Sequence, residues 1–142
     1  MSVSSSAIAG LPDRATAVEL DLPETLPPVR ADAGLLERAV ANIVDNARVW
    51  SPADRPVRVE AGAVADRVDL RVIDHGPGVP PAEHDRIFRP FQRLGDNPRH
   101  GTGVGLGLAV ARGFVEAMGG EIEVEDTPGG GLTMVIGMPV AT

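Results

Sequence analysis

The sequence contains no cysteine, no lysine and no tyrosine, and these absences exclude several kinds of site. Without cysteine, the chain has neither disulfides nor thiolate metal ligands, which suits a reducing compartment. Without lysine, it has no glycine-rich phosphate loop of the kind that requires that residue. Because three Phe and one Trp are the only aromatic residues, we expect a core built mainly of Val, Leu, Ile and Ala.

The charge balance is acidic, with a net charge of −7. An acidic chain is a poor candidate for sequence-independent binding to nucleic acid or to an anionic membrane, so we expect neither contact. No apolar run is long enough to cross a membrane, and no signal-peptide pattern is present. The length of 142 residues suits one domain. We interpret residues 1–14 as a linker or a cloning remnant and residues 15–142 as the folded domain.

Hydrophobic periodicity predicts strands and two long helices in a defined order. Asp32 is a candidate N-cap for the first long helix, and the glycine pair at 119–120 ends the second. The predicted elements are a strand at 18–22, a helix at 34–48, strands on either side of a turn at 64–67, a short helix at 81–88, a helix at 104–118, and strands at 121–126 and 132–138. This order predicts an α/β two-layer sandwich (α+β), with the long helices on one face of the sheet.

Two asparagines lie one helical turn apart in the first long helix. Asn42 and Asn46 share a face beside the apolar stripe, and buried carboxamides are costly unless they are paired. They could present carbonyl oxygens to Mg²⁺, a hard cation that takes few protein ligands. Taken alone, the pair favours an ordinary polar edge of a helix.

The segment DHGPG, at 74–78, follows a predicted strand. The carboxylate of Asp74 could accept a hydrogen bond from an exocyclic amine, and Gly76 and Gly78 would let a flat ring approach the backbone. An ordinary β-turn, with Asp, Gly and Pro in their usual places, explains the segment at least as well.

A long polar segment at 88–103 has no periodicity and is predicted to be a mobile loop. It opens with Phe88 and Phe91, which fit a clamp that anchors the loop. The loop also carries Arg89, Arg93 and Arg99, which are equally consistent with phosphate contact and with simple solvation.

Glycines at every second position, 101 to 107, lead into the second long helix. Free backbone amides and the positive end of the helix dipole would make this junction an anion site, but a hinge has the same sequence. The glycine triplet at 129–131 is more typical of a hairpin turn.

In this order and spacing the motifs NIVDNA, DHGPG, FRPF, GTGVGLGLAV and GGG-x-T resemble the ATP-binding catalytic domain of sensor histidine kinases. The resemblance runs from about Val18 to Pro139, and the wording around the last three motifs is most similar to the Kdp-type potassium-sensing kinases. It implies a Bergerat-type fold, a mixed sheet with helices on one face, that binds ATP and Mg²⁺ between helices and a lid.

The resemblance also implies a role for individual residues. Asn46 would be the Mg²⁺ ligand and Asn42 would flank the phosphates. Asp74 would bind the adenine amino group, Gly76 and Gly78 would shape the pocket floor, and Thr133 would lie behind the adenine. Phe88 and Phe91 would anchor the lid. The phosphates would be cradled by Gly101, Thr102, Gly103, Val104, Gly105, Leu106 and Gly107.

Two positions depart from the family pattern. The family usually has a basic residue three positions after the second Asn, followed by Tyr or His, whereas this chain has Val49 and Trp50. Arg48 lies one position early, so Arg48 or the lid arginines would supply any cationic contact with the phosphates. Trp50 could lie against the nucleotide or in the core.

None of the three histidines, His75, His84 and His100, lies in a phosphoacceptor motif. The resemblance therefore implies phosphoryl transfer to a histidine on a dimerisation domain outside this chain, and later to a response regulator. It also implies a cytoplasmic domain of a bacterial inner-membrane sensor, monomeric when isolated. The alternatives are an anti-sigma-factor serine kinase of the same fold and a degenerate nucleotide-binding module.

Overall fold

The computed structural model describes residues 18–52, 54–84, 86–88 and 104–141, and for residues 104–106 only the backbone. The helices are α1 (Ala33–Trp50) and α2 (Val104–Ala117), and the strands are β1 (Val18–Asp21), β2 (Val57–Val64), β3 (Arg67–Ile73), β4 (Glu121–Asp126) and β5 (Leu132–Pro139). Two short 3₁₀ turns, Pro81–Glu83 and Arg86–Phe88, follow β3.

The five strands form one mixed sheet in the order β1-β2-β3-β5-β4. β1 pairs with β2 in parallel, and the other three neighbouring pairs are antiparallel. β3 and β5 are therefore central, and the carboxyl end of β3 lies beside the start of β5, where Ile73 pairs with Thr133. This register brings the residue after β3, Asp74, next to the turn that precedes β5.

Both helices pack on the same side of the sheet. The apolar stripe of α1, which includes Ile43 and Val44, joins Ala111 and Val115 of α2 and alternate strand residues such as Val59 in one buried cluster. The residues that alternate with these in the strands carry the charges. Arg58 of β2, for example, pairs with Asp21 and with Glu60, at 2.7 Å each. The two-layer architecture predicted from the sequence is confirmed.

The predicted elements differ from the observed ones mainly at their ends. α1 has the predicted N-cap, since Asp32 Oδ1 accepts a hydrogen bond from Leu35 N at 3.0 Å. The helix continues two residues past the predicted end, to Trp50, and Ser51 N closes it by donating to Ala47 O at 3.0 Å. The prediction of one helix over 81–88 is wrong. The structure has two 3₁₀ turns there instead, the form that helical segments of three or four residues commonly take.

The turn between β4 and β5 packs tightly on the residue that follows β3. Gly129, Gly130 and Gly131 all have positive φ angles, of 87°, 115° and 114°. A Cβ added at Gly131 would overlap the carbonyl oxygen of Asp74, whereas one added at Gly130 would meet nothing within 4 Å. The triplet is a hairpin turn, as predicted, and its last glycine also allows a close backbone contact that the sequence did not predict.

We expect Gly131→Ala to lower the free energy of unfolding by about 2 kcal/mol or more beyond the effect of Gly130→Ala. Both substitutions place alanine at a similar positive φ, so their difference isolates the steric overlap with Asp74. Urea denaturation of the two variants measures it. Equal destabilisation by the two would contradict the close contact.

Candidate functional site

A buried carboxylate stands at the carboxyl end of β3. Asp74 is only 4% exposed, and its Oδ1 accepts hydrogen bonds from Gly76 N and Leu132 N, at 3.0 Å each. Both bonds use the same oxygen. Within the described part of the chain no donor engages Oδ2, so this oxygen can accept a hydrogen bond from a ligand.

The electrostatic environment of this carboxyl is unusual. Burial raises the pKa of Asp74 above its ordinary value of 3.8, because the charged form loses its hydration. The two amide hydrogen bonds and the neighbouring His75 act in the opposite direction, but burial is the larger effect. A buried acid with a raised pKa, at the end of a central strand, is a candidate functional group.

The two glycines after Asp74 make close contacts within the protein. A Cβ added at Gly76 would lie 2.6 Å from the carbonyl oxygen of Trp50. Gly78 has a φ of +77°, and a Cβ there would lie 3.3 Å from the carbonyl oxygen of Gly131. Close approach of neighbouring backbone therefore accounts for both glycines, and their contact with a flat ring stays a prediction.

The carboxyl end of α1 contacts the loop that follows β3, residues 74–78, which we call the Asp74 loop. Ser51 is fully buried, and its Oγ accepts a hydrogen bond from His75 N at 3.2 Å. Trp50, the last residue of α1, lies against Gly76 through its carbonyl group and its Cβ. Its contact with a nucleotide stays a prediction.

The predicted phosphate-end residues lie further back on α1. Asn42 and Asn46 are both half-buried and one turn apart. Within the described residues no hydrogen bond engages either carboxamide, so both remain available to a ligand. Arg48 is only 8% exposed and already interacts within the protein, and its contact with phosphate stays a prediction.

Thr133, predicted to lie behind the adenine, occupies the start of β5, paired with Ile73. Its hydroxyl lies 2.9 Å from that of Thr127, which follows β4. Both side chains are buried. The two hydroxyls therefore form a buried polar pair beside the strand that carries Asp74.

The glycine-rich segment is described only from its fourth residue. α2 begins at Val104, so the backbone of Gly105, Leu106 and Gly107 forms its first turn. Among the described residues, nothing lies within 4 Å of a Cβ added at Gly107. The predictions for Phe91, Gly101, Thr102 and Gly103 fall outside the described residues.

Phe88, the first residue of the predicted clamp, is buried in the core cluster. The guanidinium of Arg112 on α2 lies 4.9 Å from the centre of its ring, within the range of a cation–π interaction. Phe88 thus joins the segment after β3 to α2, and its role as an anchor of the lid stays a prediction.

Sequence reasoning missed four residues that shape this site. Ser51, Thr127, Gly131 and Leu132 all hold the Asp74 loop or its neighbouring strand in place. Only the glycine triplet carried a visible signal, because three successive glycines indicate positive φ angles or close contact. The others act through contacts between distant parts of the chain.

The described residues contain neither a cluster of metal-binding side chains nor a helix that could span a membrane. In that part of the chain, no group of three or more His, Cys, Asp or Glu side chains could hold a metal ion. None of the described helices is both long and apolar enough to cross a membrane.

Comparison with known proteins shows the family. The model of the histidine kinase-, DNA gyrase B- and HSP90-like ATPases matches residues 31–142. The sensor protein KdpD of Mycobacterium tuberculosis (strain CDC 1551 / Oshkosh) is 62% identical over 106 residues, which cover 75% of this chain and 12% of that relative. KdpD of Escherichia coli K12 is 34% identical, over 92% of this chain and 14% of that relative. The chain thus spans about an eighth of the length of these curated relatives.

Solved structures give the same result. The mycobacterial sensor histidine kinase MprB matches with a TM-score of 0.76 and 32% identity, over 89% of this chain and 84% of that one. ShkA, solved full-length in complex with AMPPNP, matches with a TM-score of 0.75 and 32% identity, over 89% of this chain and 26% of that one. The chain therefore belongs to the histidine kinase-, DNA gyrase B- and HSP90-like ATPase family, as an ATP-binding catalytic domain of the histidine kinase type.

Proposed function

We propose that this domain binds Mg·ATP and transfers the γ-phosphate to a histidine on a dimerisation domain elsewhere in the same kinase. The observation that carries the proposal is Asp74, a buried carboxylate with one oxygen held by two backbone amides. The other oxygen is a hydrogen-bond acceptor, and the amino group of adenine is a matching donor. Asp74 would therefore select adenine.

At the phosphate end, Asn46 would supply a carboxamide oxygen to Mg²⁺ and Asn42 would flank the phosphates. Their donor set fits Mg²⁺, which takes a few hard oxygen ligands and keeps most of its water. Mg²⁺ would neutralise phosphate charge, and the chain would contribute positioning, since phosphoryl transfer needs little covalent chemistry from the protein. The amides of Gly105 and Gly107, in the first turn of α2, would face the phosphates.

The partners follow from the sensor-kinase relatives, which are much longer than this chain. They support a phosphoacceptor domain in the same protein, a response regulator that receives the phosphate, and a bacterial inner-membrane sensor. The KdpD relatives also favour potassium sensing. We further propose that residues 1–14 are a linker or a cloning remnant and that residues 15–142 form a domain that is monomeric when isolated. We also propose that histidine rather than serine is the acceptor.

The first prediction concerns the base. ATP with Mg²⁺ should raise the melting temperature, because a ligand that binds only the folded state stabilises it. The wild-type chain should prefer ATP to inosine triphosphate, which has an oxygen in place of the amino group. Asp74→Asn should reduce that preference by at least about tenfold, because an amide NH₂ cannot accept a hydrogen bond. Calorimetric titration measures both affinities. Absence of any ATP effect on the folded wild type would refute the proposed function.

The second prediction concerns stability without ligand. Because burial raises the pKa of Asp74, the folded state binds a proton more tightly than the unfolded state. The stability that protonation of Asp74 contributes is thus fully present below pH 3.8, the ordinary pKa that applies to the unfolded state. This contribution is lost as the pH rises through the pKa of the folded state. The wild type should therefore gain stability relative to Asp74→Asn as the pH is lowered from 7 toward 4, by about 1.4 kcal/mol for each tenfold increase in proton affinity that burial causes. Urea denaturation across that range measures the gain. A difference that shrinks on acidification would show that the amide bonds outweigh burial.

The third prediction concerns the metal. Mg²⁺ should tighten ATP binding to the wild type, compared with ATP in the presence of EDTA. In Asn46→Ala this gain should fall by roughly tenfold or more, because a ligand to the metal is removed. Arg38→Ala, an exposed position on the same helix, is the matched control and should keep the gain. An undiminished Mg²⁺ effect in Asn46→Ala would disprove its role as the metal ligand.

A further inference from the structure

Three successive backbone amides in the Asp74 loop each have an acceptor from a different group. Asp74 N donates to Leu132 O at 2.9 Å, His75 N to Ser51 Oγ at 3.2 Å, and Gly76 N to Asp74 Oδ1 at 3.0 Å. The acceptor of the first bond belongs to β5, and that of the third belongs to the loop itself. Only the middle one ties the loop to α1, and only it depends on a replaceable side chain outside the loop.

The hydroxyl of Ser51 is not needed to end the helix. The bond that closes α1 runs from Ser51 N to Ala47 O at 3.0 Å, and any residue other than proline could donate it. Ser51 is nevertheless fully buried, in a position where an unpaired hydroxyl would be costly. Its hydroxyl accepts a hydrogen bond from His75 N and so ties the loop to the end of the helix.

Neighbouring backbone packs closely against the Asp74 loop on two sides. On one side, the carbonyl of Trp50 leaves no room for a Cβ at Gly76. On the other, the carbonyl of Asp74 leaves none at Gly131. The loop thus lies between α1 and the glycine turn at 129–131. Within it, the hydrogen bond from His75 N to Ser51 Oγ fixes the position of His75. That residue links Asp74 to Gly76, the two ends of the bond that orients the carboxylate.

We propose that Ser51 is a positioning residue that sets the preference of this site for a 6-aminopurine. By accepting from His75 N, its hydroxyl keeps Gly76 N on Asp74 Oδ1 and so leaves Oδ2 as the acceptor for the amino group. This inference rests on the proposed function, since it assigns a cause to the selectivity of the same site. It also connects the helix that carries Asn42 and Asn46 to the group that reads the base.

The test compares Ser51→Thr with Ser51→Val, which have nearly the same shape and differ in a hydroxyl. The affinities for ATP and for inosine triphosphate are measured for each variant, and their ratio is the readout. The threonine variant should keep the wild-type ratio, whereas in the valine variant the ratio should fall by about tenfold, because His75 N loses its acceptor. A residue that only maintains the fold would weaken both nucleotides together and leave the ratio unchanged.

A smaller variant guards against overpacking at this buried position. Ser51→Ala removes the hydroxyl without adding atoms, and it decides the matter if the threonine and valine variants do not fold. A reduced ratio in the alanine variant supports the inference. If the wild type discriminates between the nucleotides and the valine and alanine variants discriminate equally well, the inference is overturned while the proposed function stands. If the wild type binds ATP but does not discriminate, the inference falls together with the role of Asp74 in selecting adenine; if it does not bind ATP at all, the proposed function falls as well.

Discussion

The site depends on one hydrogen-bonded arrangement, in which Asp74 Oδ1 accepts from both Gly76 N and Leu132 N. The first bond shapes the loop after β3, and the second ties that loop to β5, 58 residues further along the chain. Both donors are backbone amides, one in the loop itself and one at the start of β5. The carboxylate is thereby held in one orientation before any ligand arrives.

This arrangement is costly to stability, as is common for groups at functional sites. Burial disfavours the charged form of Asp74 and raises its pKa, and the amide bonds compensate only in part. An asparagine could accept from the same two amides without a buried charge. Unlike an asparagine, a carboxylate offers a second oxygen that can accept a hydrogen bond from a ligand, which is the role that we propose for Asp74.

The rest of the fold brings distant segments to this point. β3 and β5 are central and antiparallel, so the end of one meets the start of the other. α1 crosses the same side of the sheet and ends where Ser51 reaches His75 N. Phe88, held beneath Arg112, ties the segment after the loop to α2. The loop is thus tied directly to the end of α1, and the segment that follows the loop is tied to α2.

The elements and their order follow from the sequence, because hydrophobic periodicity, the Asp32 cap and the glycine positions are local signals. The ordered motifs also identified the family. The sequence did not predict why Gly76 and Gly131 must be glycine, or that Ser51 accepts a hydrogen bond from His75 N and Thr127 pairs with Thr133. Those facts depend on which carbonyl or hydroxyl lies opposite, and only the packing of α1 and β5 against the loop decides that. Local sequence signals therefore determined the helices and strands and their order, whereas long-range backbone contacts determined the geometry of the Asp74 carboxylate.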